Sequence, residues 1–203
     1  PPSSVAACSA KRTDAMTTHY VDLKVVPDPE SGPARLMGAL YDHLHLALVQ
    51  QNRSSIGVSF PDYSLSPRTL GTTLRLHGSQ ADLQQLIATD WLKGMRDHVR
   101  MKEIAAAPTD APHRTVQRKQ FKTSAARLRR RRMRRKGETL EQATAAIPST
   151  MEQQPTLPYI HLHSRSTTQP FCLFIALGSL QATAILGEFN SHGLGGPATV
   201  PWF

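Results

Sequence analysis

Apolar and polar residues alternate along residues 19–26, the first part of the chain with a clear pattern. Every second residue from Val21 to Val25 is apolar, which predicts a β-strand buried on one side. Across residues 34–51 the apolar spacing changes to three and four residues, which indicates an amphipathic α-helix. Its apolar face contains Leu36, Met37, Leu40, Tyr41, Leu44 and Leu48.

Similar patterns continue through the first half of the chain. Short apolar runs predict strands at residues 55–60 and 73–77, and a further strand is expected at residues 97–106. Ser79 followed by Asp82 is typical of a helix N-terminus, so a second helix is predicted there. The resulting order, β-α-β-β-α-β, matches a ferredoxin-like domain, the plan also used by RNA-recognition modules.

The second half is expected to form a smaller C-terminal α/β domain, residues 111–203, after a ferredoxin-like domain of residues 17–110. Ser124 and Gly137 are suited to cap the two ends of an arginine-rich helix. A capping-box pattern then predicts a short helix that stops before Pro148. Later apolar segments predict strands at "YIHLHS", "PFCLFIAL", "LQATAIL" and "VPWF". The predicted fold class is therefore α+β.

The charge of the 203-residue chain is concentrated in one place. Its formal net charge is +9, and residues 114–136 hold 12 of the 24 Lys and Arg residues. A basic segment on a mildly acidic body is the electrostatic footprint of a nucleic-acid-binding protein. No run of about 18 apolar residues is present, so no contact with a membrane is predicted. Residues 1–16 are expected to be a tail outside the fold.

The basic segment includes the stretch "RLRRRRMRRK" at residues 127–136. Its two apolar residues form no stripe, so a hydrophobic core alone cannot hold this helix. A solvated charged helix or a flexible basic tail is the alternative, but the pattern favours a nucleic-acid partner. The ferredoxin-like first half favours RNA. At about 100° per residue, five arginines share an arc about 140° wide: Arg127, Arg130, Arg131, Arg134 and Arg135.

The cysteines and histidines offer little evidence of metal binding. Cys8 and Cys172 form no CxxC pair, which fits a reducing cytosol, and a cytoplasmic location is expected. His161 and His163 would share one face of a strand, as in a pair of metal ligands, but no nearby Cys or carboxylate completes a site. Surface or RNA contact is therefore favoured for them, and no metal or cofactor is predicted.

Four blocks of the sequence, in order, resemble the CRISPR repeat-processing endoribonucleases of subtype I-F systems. They are "IGVSFPDY", "RTVQRKQFKTSAARLRRRRMRRK", "SRSTTQPFCLFI" and the ending "GL…VPWF", and the resemblance runs from about His19 to Phe203. It implies a ferredoxin-like N-terminal domain and a C-terminal domain that carries the arginine helix. It also implies binding of the CRISPR repeat hairpin and one cut at the 3′ base of the stem. Such enzymes retain their product as a subunit of a type I-F surveillance complex.

The resemblance also assigns roles to individual residues. His45 matches the catalytic histidine, and Ser164 matches a serine that positions the ribose. Arg118 and Gln120 match residues that read the lowest stem base pairs, and Phe171 matches an aromatic that stacks under the stem. Arginines that follow the phosphates of the groove correspond to Arg131, Arg134 and Arg135, and RNA contacts are also expected from Lys122, Arg127 and Arg130.

One residue departs from the family pattern. The family usually has Tyr just before the "GL" of the C-terminal segment, where this chain has His192. His192 would either order the site as Tyr does or share in proton transfer. RNA supplies its own nucleophile, the 2′-OH, and histidine is suited to accept its proton at neutral pH.

The sequence leaves two functions open. The first is a metal-independent endoribonuclease, and the second is a non-catalytic RNA-binding subunit, either ribosomal-protein-like or an inactive homologue. His45 taken alone is ambiguous in the same way, because a half-buried structural histidine is more common than a catalytic one.

Overall fold

The computed structural model describes residues 17–26, 29–121, 124–164 and 169–203, and the predicted tail lies outside them. The described residues form a mixed α and β structure with antiparallel sheets, which confirms the expected mixture. No helix among them is both long and apolar enough to cross a membrane. The described residues contain four α-helices: α1 Pro33–Gln50, α2 Gln80–Ile87, α3 Ala125–Lys136 and α4 Leu140–Ala146.

The first sheet is built from the N-terminal half of the chain. The strands of this half are β1 His19–Val25, β2 Gly57–Ser59, β3 Ser64–Leu65, β4 Arg68–Thr69, β5 Thr73–Gly78, β6 Val99–Met101 and β7 Ala105–Ala106. The order in the sheet is β2-β5-β1-β6, β7 also pairs with β1, and every pairing is antiparallel. Strands β3 and β4 form a small hairpin between β2 and β5 along the chain.

The predicted helix ends are confirmed by their caps. The Ser79 hydroxyl accepts the N–H of Asp82 at the start of α2, and the Ser124 hydroxyl opens α3 in the same way. Gly137 ends α3 with φ of 67°, a left-handed conformation that glycine adopts without strain. A capping box at Thr139 begins α4. These local hydrogen bonds satisfy backbone groups that each helix end leaves unpaired.

The prediction of one continuous strand at residues 97–106 is wrong, because the strand is interrupted. A 3₁₀ turn, Arg96–His98, comes first, and two short strands follow it, β6 and β7. β6 pairs Met101 with Leu23, whereas β7 pairs Ala105 with Tyr20. The two registers differ by one residue, so a β-bulge interrupts this edge strand.

The C-terminal half contains the strands β8 His113–Arg114, β9 Val116–Lys119, β10 Tyr159–His163, β11 Pro170–Leu177 and β12 Val200–Pro201. Three of them form a second sheet in the order β10-β11-β9. Two segments predicted to be strands, "YIHLHS" and "PFCLFIAL", are confirmed as β10 and β11, while β9 was not predicted. The terminal "VPWF" contributes β12, which pairs with β8.

The strand predicted at "LQATAIL", residues 180–186, is wrong. Only Gln181 forms a bridge there, with His113. Leu180 and Leu186 are more than half exposed, so the apolar residues of this segment have no sheet face to cover. Apolar composition without a partner strand does not produce a ladder.

Helix α1 packs on the second sheet as well as on the first. Gly38 makes this possible, because a Cβ at that position would lie 2.7 Å from the carbonyl oxygen of His161 in β10. Buried side chains from both sheets and from α1 belong to one hydrophobic cluster. The division into domains at residues 110 and 111 stays a prediction.

A buried ion pair fixes the end of the chain to the first sheet. The guanidinium of Arg75 donates to both carboxylate oxygens of Asp22, at 2.6 and 3.2 Å, and to the carbonyl oxygen of Phe203 at 2.8 Å. The same guanidinium lies over the rings of Tyr20 and Phe203. A charged group this buried requires such partners, so the last residue is held in place.

His77 lies beside this pair and is fully buried. Its Nε2 lies 2.8 Å from the hydroxyl of Ser59. Burial, assisted by the charge of Arg75, lowers the pKa of His77 from 6.5 to about 3. The unfolded chain therefore binds a proton at this residue more readily than the folded chain does.

We predict that the protein loses stability as the pH falls below about 6.5. A histidine with a lowered pKa stabilises the fold fully above its unfolded pKa and progressively less toward its folded pKa. The free energy of unfolding should fall by up to about 1.4 kcal/mol per pH unit for this residue. Urea unfolding between pH 7 and pH 4.5 measures the slope. His77→Asn should flatten it and the exposed His163→Asn should not; an unchanged slope in His77→Asn would contradict the assignment.

Candidate functional site

His45 lies on α1 and is half-buried beside the apolar face of that helix. Its Nδ1 is 2.7 Å from the carbonyl oxygen of Ser191, near the C-terminus of the chain. Because a carbonyl oxygen only accepts, Nδ1 must carry the proton of this hydrogen bond. In the neutral ring, Nε2 then has the lone pair and can accept a proton. The structure thus leaves Nε2 of His45 able to accept a proton.

The ring of His192 stacks on the ring of His45. Their centroids are 3.9 Å apart and their planes differ by 9°. Burial is the largest cause that lowers the pKa of His192 to about 4, and the neighbouring His45 and Arg118 contribute to the same shift. His192 is therefore uncharged at pH 7 and holds no proton that it could readily donate.

A tight turn holds His192 in this position. The side-chain oxygen of Asn190 accepts the backbone N–H groups of His192 and Leu194, at 2.8 and 3.2 Å. Gly193 follows with φ of 70°, and a Cβ there would lie 2.6 Å from Val58 in the first sheet. Glycine adopts the positive φ without strain and has no Cβ to clash with Val58. The turn can therefore lie close to the first sheet, beside α1.

Tyr41 connects the turn to α1. Tyr41 lies on α1 one helical turn before His45. Its hydroxyl donates to the carbonyl oxygen of His192 at 2.6 Å. Burial raises the pKa of Tyr41 far above its usual value, so the hydroxyl keeps its proton and remains a donor. The rings of Tyr41 and His192 are nearly parallel, with centroids 6.1 Å apart. Tyr41, His192 and His45 therefore lie in one ordered group.

Arg118 connects this group to a groove at the end of the second sheet. Its guanidinium lies over the ring of Phe171, 5.8 Å from the centroid. Gln120 and Arg127 line the same groove, which has a volume of about 420 Å³. Four residues predicted to bind RNA thus line one groove: Arg118, Gln120, Arg127 and Phe171. Arg118 also lies close enough to His192 to lower the pKa of that ring.

The arginines of helix α3 fall into two groups: some form hydrogen bonds within the protein, and others line an open groove. Arg129 donates to the carbonyl oxygen of Ile147, and Arg132 donates to both carboxylate oxygens of Glu138. These two arginines stabilise the packing of α3 beside α4. The exposed arginines line a groove of about 760 Å³ together with Gln169, and its lining includes Arg127, Arg130, Arg131 and Arg134.

Arg135 is exposed and lies toward a hollow between α3 and α4, which Arg131 also lines. The arc predicted on the helical wheel is therefore divided between two neighbouring concave surfaces. Arg129 and Arg132, which lie outside this arc, form internal hydrogen bonds instead. We refer below to the groove that Arg127, Arg130, Arg131, Arg134 and Gln169 line as the arginine groove.

The remaining predicted residues are Ser164, Lys122, His161 and His163. Ser164 follows β10, and its backbone N–H donates to the carbonyl oxygen of Gln169. Its role stays a prediction, and Lys122 lies outside the described residues. His161 and His163 do share one face of β10. Among the described ranges, no group of three His, Cys, Asp or Glu residues could hold a metal ion.

Sequence reasoning missed the residues that order the site. Tyr41 is a member of the apolar stripe of α1, so nothing in the pattern distinguishes it from core residues. Asn190 and Gly193 had a usable signal, because Asn followed closely by Gly is typical of a turn in which the side chain binds the backbone. The proximity of that turn to His45 depends on contacts that span most of the chain.

Comparison with known proteins gives concordant matches. A family model described as CRISPR-associated protein (Cas_Csy4) matches residues 20–203. The CRISPR-associated endonuclease Cas6/Csy4 of Pseudomonas aeruginosa (strain UCBPP-PA14) is 48% identical over 185 residues, which cover 91% of this chain and 99% of that protein. The protein of the same name from Escherichia coli (strain UTI89 / UPEC) is 40% identical with the same coverage.

We predict that His192 titrates far below an ordinary histidine. Its ring resonances in a proton NMR titration should have a midpoint near pH 4, because burial disfavours the charged imidazolium. The resonance is assigned by its loss in His192→Gln. A midpoint near 6.5 would mean that the ring is solvated and that the stack on His45 does not persist in solution.

Proposed function

Because the chain belongs to the Cas_Csy4 family of CRISPR-associated proteins, we propose that it is an endoribonuclease that matures CRISPR RNA. It binds the hairpin of the repeat, cuts once at the 3′ base of the stem, and uses no metal ion. The observation that carries this proposal is His45, held with Nε2 as its acceptor nitrogen, in a group of residues that reaches a basic groove through Arg118.

The proposed reaction begins with the 2′-OH of the nucleotide before the cut. Nε2 of His45 accepts the 2′-OH proton while O2′ bonds to the adjacent phosphorus. The bond from phosphorus to the 5′ oxygen of the next nucleotide breaks, that oxygen takes a proton from solvent water, and His45 returns the proton it accepted to the solvent. The products are a 2′,3′-cyclic phosphate and a 5′-OH. RNA supplies the nucleophile, so the protein has only to align and deprotonate it.

We assign His192 a positioning role in place of the usual tyrosine. A ring with a pKa of about 4 is uncharged at pH 7, so it is poorly suited to donate a proton to the leaving oxygen. Its flat stack on His45 limits the orientations of that ring and supports the hydrogen bond to Ser191. Ser164 is proposed to position the ribose; it follows β10, the strand that α1 packs against.

RNA binding is proposed to be divided between two surfaces. The arginine groove, together with Arg135, contacts the stem phosphates. Arg118 and Gln120 read the lowest base pairs, and Phe171 stacks under the stem. Lys122 adds a further phosphate contact. Side chains cannot easily read the deep major groove of A-form RNA, so the helix α3 supplies affinity and the sheet edge supplies specificity.

We further propose that residues 17–110 form a ferredoxin-like domain and residues 111–203 a smaller hairpin-binding domain. The strand order β2-β5-β1-β6, with α1 and α2 between strands, supports the first assignment. The enzyme is proposed to keep the mature guide RNA and to join the protein subunits of a type I-F surveillance complex in the cytoplasm. Many phosphate contacts together supply high affinity for RNA, which supports retention of the product.

We predict that His45→Ala slows cleavage by at least about 100-fold, the lower end of general-base contributions. Hairpin binding should stay within a few-fold, since many phosphate contacts remain. A repeat with 2′-deoxyribose at the cut site should bind wild-type protein and stay whole. Gel analysis of cleavage and a binding titration measure these outcomes.

His43→Ala is the matched control, because His43 lies on the other side of α1 and bonds to the carbonyl oxygen of Trp91. It should cleave normally. Cleavage of the deoxy substrate would exclude the 2′-OH as the nucleophile. Normal cleavage by His45→Ala would exclude His45 as the general base. Tight binding without cleavage by the wild type would favour the non-catalytic RNA-binding subunit.

We predict that replacing Arg131, Arg134 and Arg135 with Ala weakens binding to every hairpin by a similar factor. Each lost phosphate contact should reduce the slope of log affinity against log salt by roughly 0.7–0.9. Discrimination between base pairs at the foot of the stem should survive. A salt titration on cognate and stem-swapped hairpins measures both effects.

A charge-matched control replaces the exposed Arg35, Arg96 and Arg100, which lie on the first half of the chain. This control also removes three positive charges, and most of the dependence of log affinity on log salt should remain. Equal losses in the two triple variants would indicate a general effect of net charge and would contradict binding in the arginine groove.

A further inference from the structure

The second sheet has an outer face that the proposed function does not use. Directly opposite residues of antiparallel strands share a face, so Ile175 and its partner Arg118 face inward. Phe174 and its partner Lys119 face outward. Tyr159 lies opposite Phe174 on the other neighbouring strand and also faces outward. The inner face packs into the core, whereas the outer face carries the half-buried ring of Phe174 and the exposed ring of Tyr159.

These rings form a continuous series, which we call the aromatic row. Phe121 contacts Phe174 edge-on at 5.1 Å between centroids, and Phe174 contacts Tyr159 at 5.3 Å. Tyr159 in turn contacts His161 at 4.9 Å. Tyr159 is 43% exposed although it is large and partly apolar. Aromatic rings that lie edge to edge on the rim of a basic groove are suited to bind a partner.

The charges around the row favour an anionic partner with flat rings. Phe121 and Phe174 line the same groove as Arg118, Lys119 and Arg127. No acidic side chain is among the described residues that line this groove. Aromatic side chains on a β-sheet beside basic residues are the arrangement that stacks the bases of single-stranded RNA.

The row is also continuous with the proposed hairpin site. Phe171, proposed to lie under the stem, and Phe174, in the aromatic row, line one groove at the sheet edge. In the proposed function the cut strand ends at His45 on α1, which packs into the same core as the inner face. The other strand of the stem is then the one free to extend over the outer face.

We propose that the unpaired nucleotides on the 5′ side of the repeat hairpin stack on the aromatic row. This inference rests on the proposed function, and it extends the recognised RNA beyond the stem. It gives the protein a second, sequence-tolerant contact with the guide, because every base has a face that can stack.

The test uses two repeat hairpins with 2′-deoxyribose at the cut site, one blunt and one with a 5′ oligoadenosine flank. In wild-type protein the flank should raise affinity by roughly five-fold or more, the lower end of the contribution from one stacked base. A 2-aminopurine in the flank should lose fluorescence on binding. Tyr159→Leu, which keeps an apolar side chain but removes the ring, should lose much of both effects.

Tyr159→Phe is the matched control and should keep the gain, because stacking needs the ring and not the hydroxyl. Both variants should bind the blunt hairpin normally, which shows that they fold. A flank that adds no affinity to wild type, or a gain that Tyr159→Leu retains, overturns the inference and leaves a protein partner for this face. A gain from a 3′ flank alone overturns the strand assignment. Failure to bind the blunt hairpin would instead refute the proposed function.

Discussion

The hydrogen bond from the Tyr41 hydroxyl to the carbonyl oxygen of His192 is the contact on which the arrangement of the site depends. Tyr41 is completely buried, so its hydroxyl needs an acceptor, and the acceptor is the backbone of the residue that stacks on His45. Gly193 allows that turn to approach the first sheet, and the carbonyl oxygen of Ser191 then fixes the tautomer of His45. Helix α1 and the C-terminal turn thus form a site that neither contains alone.

Charge is distributed so that the proposed RNA-binding groove and the proposed catalytic group are separated in space. The exposed arginines of α3 surround an open groove, whereas Arg129 and Arg132 are used to hold the helix in place. In the site itself, burial keeps His192 uncharged, and the nearby positive charges reinforce this effect. A basic surface can therefore hold phosphates at many points while the ring beside His45 stays neutral. Such a division suits an enzyme that is proposed to bind its RNA tightly and to cut it once.

Much of the fold was predictable because its signals are local. The stripe of α1 and the caps at Ser79, Ser124 and Gly137 depend on neighbours within one or two turns, and they predicted the helices correctly. Strand β9 was missed because its basic residues obscured a short alternation. Residues 180–186 were wrongly predicted as a strand, since an apolar run does not reveal whether a partner strand exists. The contact between His45 and the 190–193 turn spans almost 150 residues, and only the family resemblance suggested that both belong to one site.

The central claim is that this geometry performs cleavage through the 2′-OH of the RNA. The most direct measurement is the mass of the 5′ fragment released from a repeat hairpin by the wild-type protein in EDTA. Attack by the 2′-OH predicts a single fragment that ends in a 2′,3′-cyclic phosphate, lighter by one water than the linear phosphate. A fragment with a 3′-hydroxyl end, accompanied by a 5′-phosphate on the other product, would show that water was the nucleophile and would contradict the mechanism.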